Sequence, residues 1–161
     1  MIREKINQAF SILNELDIDM WMIFVRESKV LHDPALELVV GTDCTWQSAF
    51  VYTRSGKSFA IVGNLDAAKF KEMGIFTEVR SYVTGIKETL VGLFKELNPG
   101  RFAINVSVND YMADGMTYGM FQLLQRHLEG TDWADKWISS EKIMAALRGR
   151  KSASEIDNIR A

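Results

Sequence analysis

Apolar residues Ile2, Ile6, Phe10, Leu13 and Leu16 recur at helical spacing, with Arg3, Glu4, Lys5, Gln8 and Glu15 between them. The pattern predicts an amphipathic first helix with those polar residues on its outer side. Met20-Trp21-Met22-Ile23-Phe24-Val25 follows without polar alternation, as expected of a strand buried on both faces in the middle of a covered sheet. Residues 26–45 are loop-rich. Within them Asp33-Pro34 predicts the start of a short helix, and Gly41 its end. Residues 46–53 and 58–63 predict two strands, and the polar link Arg54-Ser55-Gly56-Lys57 predicts that they form a hairpin.

Alternation of helix and strand continues from there. Residues 66–73 predict a helix closed by Gly74, and residues 76–82 an extended segment. Ile86, Leu90, Leu93, Phe94 and Leu97 form one helical face, stopped by Asn98-Pro99-Gly100. Residues 101–106 predict a strand. Met116, Met120, Phe121, Leu124 and Leu128 mark a further helix ahead of Gly130, residues 133–138 a further strand, and Ser139 or Ser140 can cap a helix reaching Leu147. A hairpin followed by helical crossovers implies a three-layer α/β/α domain with one mixed sheet. No glycine-rich phosphate loop is present, so nucleotide binding has no support in the sequence.

Composition narrows the classes. The chain has 161 residues, of which 47% are hydrophobic, enough for one ordinary domain with its own core. Its 19 basic and 21 acidic residues leave a formal net charge of −2, which gives no footprint for nucleic acid or an anionic membrane. The longest apolar run near the N-terminus, Met20 to Val25, is far short of the roughly 20 residues that span a bilayer, and Met1-Ile2-Arg3-Glu4-Lys5 has no signal-peptide core. The expectation is a soluble protein. Cys44 is the only cysteine, which excludes an internal disulfide or a multi-cysteine zinc site and fits a reducing, cytoplasmic setting.

Ser152-Ala153-Ser154-Glu155 has the spacing of a capping box, so a helix should open there with Ile156 and Ile159 on one face. Two readings follow: a short terminal helix packed on the domain, or a helix cut in mid-course. The string Leu147-Arg148-Gly149-Arg150-Lys151-Ser152-Ala153-Ser154-Glu155-Ile156, continuing through Ile159-Arg160-Ala161, resembles the junction segment of creatinase / prolidase / Xaa-Pro aminopeptidase-type enzymes, which opens the first helix of their catalytic domain. The upstream order resembles their N-terminal domain, from the strand after Asp17-Ile18-Asp19 to Leu38-Val39-Val40-Gly41, where many relatives carry Tyr-Leu-Ser/Thr-Gly.

This resemblance implies a creatinase-type N-terminal domain in residues 1–150 and the start of the first catalytic-domain helix in residues 151–161. It implies a catalytic domain of the same protein as partner, a homodimer, and a peptide or small amide-type substrate. Two divalent metals (Mn, Co or Zn) would be held by two Asp, one His and two Glu beyond Ala161. Neither catalytic nor metal-ligating residues are expected in this chain. The alternatives are a stand-alone binding or oligomerisation module and the N-terminal domain of a pseudoenzyme.

His32 and His127 are far apart, lie in no metal motif, and suit surface positions. Cys44 beside Asp43 lacks a base and suits a loop. Asp17 with Asp19, and Asp132 with Asp135, could bind a cation but suit solvated turns or helix ends. Trp21 suits the core. Trp133 and Trp137 suit partly exposed positions that could mark a contact surface. The loop over residues 26–46 follows the central strand and is the best functional candidate, although a packing loop is the alternative. Within it Arg26, Asp43 and Trp46 are the groups expected to face substrate.

Overall fold

A computed structural model describes residues 1–30 and 32–160. The first helix, α1 (Ile2–Glu15), leads into β1 (Met20–Val25), every residue of which is buried. A short α2 (Ala35–Val39) precedes β2 (Ser48–Thr53) and β3 (Ser58–Gly63), which pair antiparallel as a hairpin. Gly56, with φ +86°, supplies the left-handed backbone of its turn. Then come α3 (Ala67–Met73), β4 (Glu78–Tyr82), α4 (Lys87–Leu97), β5 (Phe102–Ile104), α5 (Tyr118–Leu128), β6 (Trp137–Ser139), α6 (Glu141–Gly149) and α7 (Ala153–Arg160).

The six strands form one sheet in the order β4-β3-β2-β1-β5-β6. Only the pairs involving β2 are antiparallel, so the sheet is mixed, as the sequence implies. Alternation along β1 divides the core. Trp21, Ile23 and Val25 face α1, α2, α3 and α6, whereas Met20, Met22 and Phe24 face α4 and α5. Helices therefore cover both faces of β1, which is why its sequence shows no polar alternation.

Several boundaries depart from the sequence pattern. The strand expected over residues 101–106 is only Phe102–Ile104, because Asn105 turns its side chain into a buried polar network. The strand expected over residues 133–138 begins only at Trp137. Trp133 sits in the preceding turn, 7% exposed and packed 5.8 Å from the Phe94 ring, so it is a core residue. Ser140 takes the N-cap position of α6 but its hydroxyl points inward to Asn105, and Ser139, at the end of the strand before it, accepts from the Glu141 N–H at 3.2 Å. Lys5, on the polar side of the helical pattern, is 2% exposed.

The capping box of α7 is formed on both sides. Ser152 N–H donates to Glu155 Oε2 at 2.7 Å, and Glu155 N–H donates to Ser152 Oγ at 3.1 Å.

Candidate functional site

Every strand except β2 brings its carboxyl end to the same edge of the sheet. The chain order reverses between β1 and β5, and in open α/β sheets the crevice at such a reversal is where ligands bind. Asn105, the residue after β5, forms its floor. Its Oδ1 accepts from Trp21 Nε1 at 2.9 Å and from Ser140 Oγ at 2.5 Å, and its Nδ2 donates to Asp33 Oδ2 at 2.9 Å. Asp33 Oδ1 accepts from the Ala35 N–H at 2.9 Å; Pro34, expected in the first turn with Asp33 as the cap, itself takes the N-cap position of α2, so Asp33 steadies the turn before the helix.

Asp33 is 1% exposed. Burial pushes its carboxyl pKa up, against the bonds from Ala35 and Asn105, which favour the charged form. Both of its oxygens are engaged. The group therefore ties the loops after β1 and β5 together and does not stand free as a base. Above it is a cavity of about 90 Å³, walled by Phe24, Arg26, Asp33, Gly115 and Thr117.

The three residues expected to face substrate lie on this edge but at separate cavities. Arg26 is exposed at the mouth of the crevice. Asp43 is exposed beside a cavity of about 550 Å³ with His32, Glu37 and Thr42, and its carbonyl accepts from Lys69 Nζ. Trp46 borders a third cavity of about 390 Å³ with Tyr82, Val83 and Thr84. Its ring lies on Gly63, where a Cβ would stand 2.3 Å from Trp46 Cε3, and 6.2 Å from the Tyr82 ring. Tyr82 Oη donates to the Gln47 carbonyl at 2.5 Å, and burial pushes its phenol up to about 12. The two rings are thus held as a fixed aromatic wall.

Other candidates take structural places. Cys44 is buried, donates to the Arg26 carbonyl at 3.2 Å, and has its thiol pKa raised by burial, which makes it a poor nucleophile. Asp19 Oδ2 accepts from the Gly100 N–H at 2.7 Å and Asp17 pairs with Arg54. His32 pairs with Glu37 at 3.2 Å. His127 is half-buried beside a cavity it shares with Lys87 and Glu129. Its Nε2 is buried without a partner, its ring meets Phe24 edge-on, and burial, then Lys87, lowers its pKa. Among the described residues, no group of three or more His, Cys, Asp or Glu could hold a metal ion, and no helix is long and apolar enough to cross a membrane.

The network of Asp33, Asn105 and Ser140 joins residues far apart in the chain and carries no local motif. The available signals were an asparagine and a serine ending two successive strands. The same edge also carries exposed apolar side chains: Val30, Leu65, Val83 and Val108 on its loops, Val108 being 99% exposed, and Tyr118 at the start of α5.

No protein-family model matches the chain, and no curated protein matches it. Solved structures do. An Xaa-Pro dipeptidase from Bacillus anthracis matches with TM-score 0.66 and 18% identity over 98% of this chain and 38% of its own. An X-Pro aminopeptidase from Thermotoga maritima matches with TM-score 0.69 and 14% identity over 96% of this chain and 38% of its own. The N-terminal domain of an Xaa-Pro dipeptidase from Lactobacillus brevis matches with TM-score 0.59 and 17% identity, over 86% of this chain and 97% of its own. This chain has the fold of an Xaa-Pro peptidase N-terminal domain. It spans 38% of the length of the two longer neighbours, and that N-terminal-domain fold is α/β with one mixed sheet, as the sequence implies.

Proposed function

We propose that the chain is the non-catalytic N-terminal domain of a metal-dependent Xaa-Pro peptidase or related C–N hydrolase, and that the carboxyl edge of its sheet shapes substrate access and supports a homodimer. Residues 1–150 form that domain, and residues 151–161 begin the first helix of a catalytic domain in the same polypeptide. Arg26, Asp43 and Trp46 face the peptide or small amide-type substrate from the rim. The observation that carries this reading is the match of fold over nearly the whole chain to Xaa-Pro peptidases, including one structure that is an N-terminal domain alone. The exposed apolar side chains Leu65 and Val83 on this edge fit a contact role. The described residues provide no ligand set for the two divalent metals of such an enzyme, which on this reading belong to the catalytic domain. The free thiol of Cys44 suits a reducing, cytoplasmic setting.

The test of the rim uses the intact polypeptide. Leu65→Asp and Val83→Asp place charges on exposed rim loops. The expected result is a dissociated dimer or a raised KM for an Xaa-Pro dipeptide, with an unchanged melting midpoint. An unchanged assembly and unchanged KM would contradict the role given to this edge.

A further inference from the structure

Lys5 is a buried cation that the proposed function does not use. Its Nζ donates to the Leu147 carbonyl at 2.8 Å and the Arg150 carbonyl at 2.6 Å, and lies 3.4 Å from Glu155 Oε2. An ammonium has three donors and no acceptor, and these three oxygens match them. Two come from the end of α6. The third belongs to the capping box of α7, where the same Glu155 oxygen also accepts from the Ser152 N–H. Lys5 therefore joins three elements, α1, α6 and α7, at one atom.

Further polar contacts flank this joint, beside the apolar packing of α1 on α6. Glu4 accepts from the Ser154 N–H at 3.3 Å and from the Ser154 hydroxyl, and Arg150 pairs with Glu15. Among the described residues, α7 buries none of its own. Ile156 is 38% and Ile159 70% exposed. Apolar packing, which supplies most helical stability in proteins, therefore contributes little to holding α7 in place. The helix is attached through its first turn and through charge.

We infer that Lys5 is a lock that fixes the first turn of α7 against α1 and α6, so that one buried charge sets the direction in which α7 leaves the domain. Removing that charge frees α7 while the sheet stays folded. The lock needs only these three helices and holds whether or not a catalytic domain follows.

Amide hydrogen exchange on the 161-residue chain tests it. The reporters are Ile156, whose N–H donates to the Ser152 carbonyl at 3.0 Å, and Arg150, whose N–H donates to the Ala146 carbonyl at 3.0 Å. In Lys5→Met the Ile156 amide should exchange about tenfold faster, with Met22 and Phe24 in β1 unchanged. If Lys5 served only to cap α6, the Arg150 amide would accelerate and Ile156 would not, and the lock would be overturned. Should Lys5→Met fail to fold, Glu155→Gln decides, because glutamine keeps the capping acceptor and removes the charge. Faster exchange at Ile156 with Arg150 unchanged supports the lock. Unchanged exchange at Ile156 overturns it.

Discussion

Gly115 packs so closely on Asp33 that a Cβ placed on it would lie 2.3 Å from Asp33 Cγ. The carboxyl cannot swing aside, because Ala35 and Asn105 hold one oxygen each. Gly115→Ala should therefore destabilise the domain by about 1–3 kcal/mol, the usual cost of overpacking. A urea denaturation midpoint within error of the parent chain would show that the loops after β1 and β5 separate easily.

Phe24 is fully buried in the central strand, between α4 and α5 on its face of the sheet. Phe24→Ala should cost about 3–5 kcal/mol through lost burial and the cavity left behind. Thermal unfolding checks this, and an unchanged midpoint would mean that β1 is not central.

Asp33 gives stability a pH dependence of known sign. Burial raises its pKa in the folded state above the ordinary value near 3.8. Between these two values the folded state binds more protons than the unfolded one, so the stability from this group grows as pH falls and is lost as pH rises through the folded pKa. Compared with Asp33→Asn, the parent chain should gain stability on acidification from neutral pH towards about 3.8. Parallel stability profiles for the two proteins would contradict the assignment.

Local features of the fold were legible in the sequence, and long-range polar contacts were not. The unbroken run Met20–Val25 marks a central strand, because a strand covered on both faces has no polar side. Arg54 to Lys57 with Gly56 marks the hairpin turn, and Ser152 with Glu155 marks the start of α7. Lys5 looks like a solvent-facing residue because its partners at Leu147 and Arg150 are more than a hundred positions away. Asn105 reads as part of a strand because nothing near it in sequence reveals Trp21, Asp33 or Ser140 as its partners. Trp133 suits a partly exposed position among its polar neighbours, yet it packs on Phe94 in the core, and His127 turns the edge of its ring to Phe24. In each case the deciding contact is tertiary. Arg26, Asp43 and Trp46 follow the central strand in sequence, yet they border three separate cavities, and periodicity does not tell which cavity each one lines.

Trp46 and Gly63 provide a check on the aromatic wall. A side chain at position 63 would displace the Trp46 ring, since a Cβ there would stand 2.3 Å from Trp46 Cε3 and 2.8 Å from Trp46 Cδ2. Gly63→Ala should alter the near-ultraviolet circular dichroism assigned to Trp46 by difference from Trp46→Phe. An unchanged tryptophan signal would show that the ring is not held against β3.

On the proposed reading this chain supports catalysis without performing it. Hydrolysis of an Xaa-Pro dipeptide with added Mn²⁺, Co²⁺ or Zn²⁺, measured for the 161-residue chain and for the polypeptide continued past Ala161, tests that claim most directly. The expected result is no metal-dependent cleavage by the chain alone, because its described residues offer no clustered ligands, and cleavage by the longer polypeptide. Cleavage by the chain alone, or none by the continued polypeptide under the same metals, would contradict it.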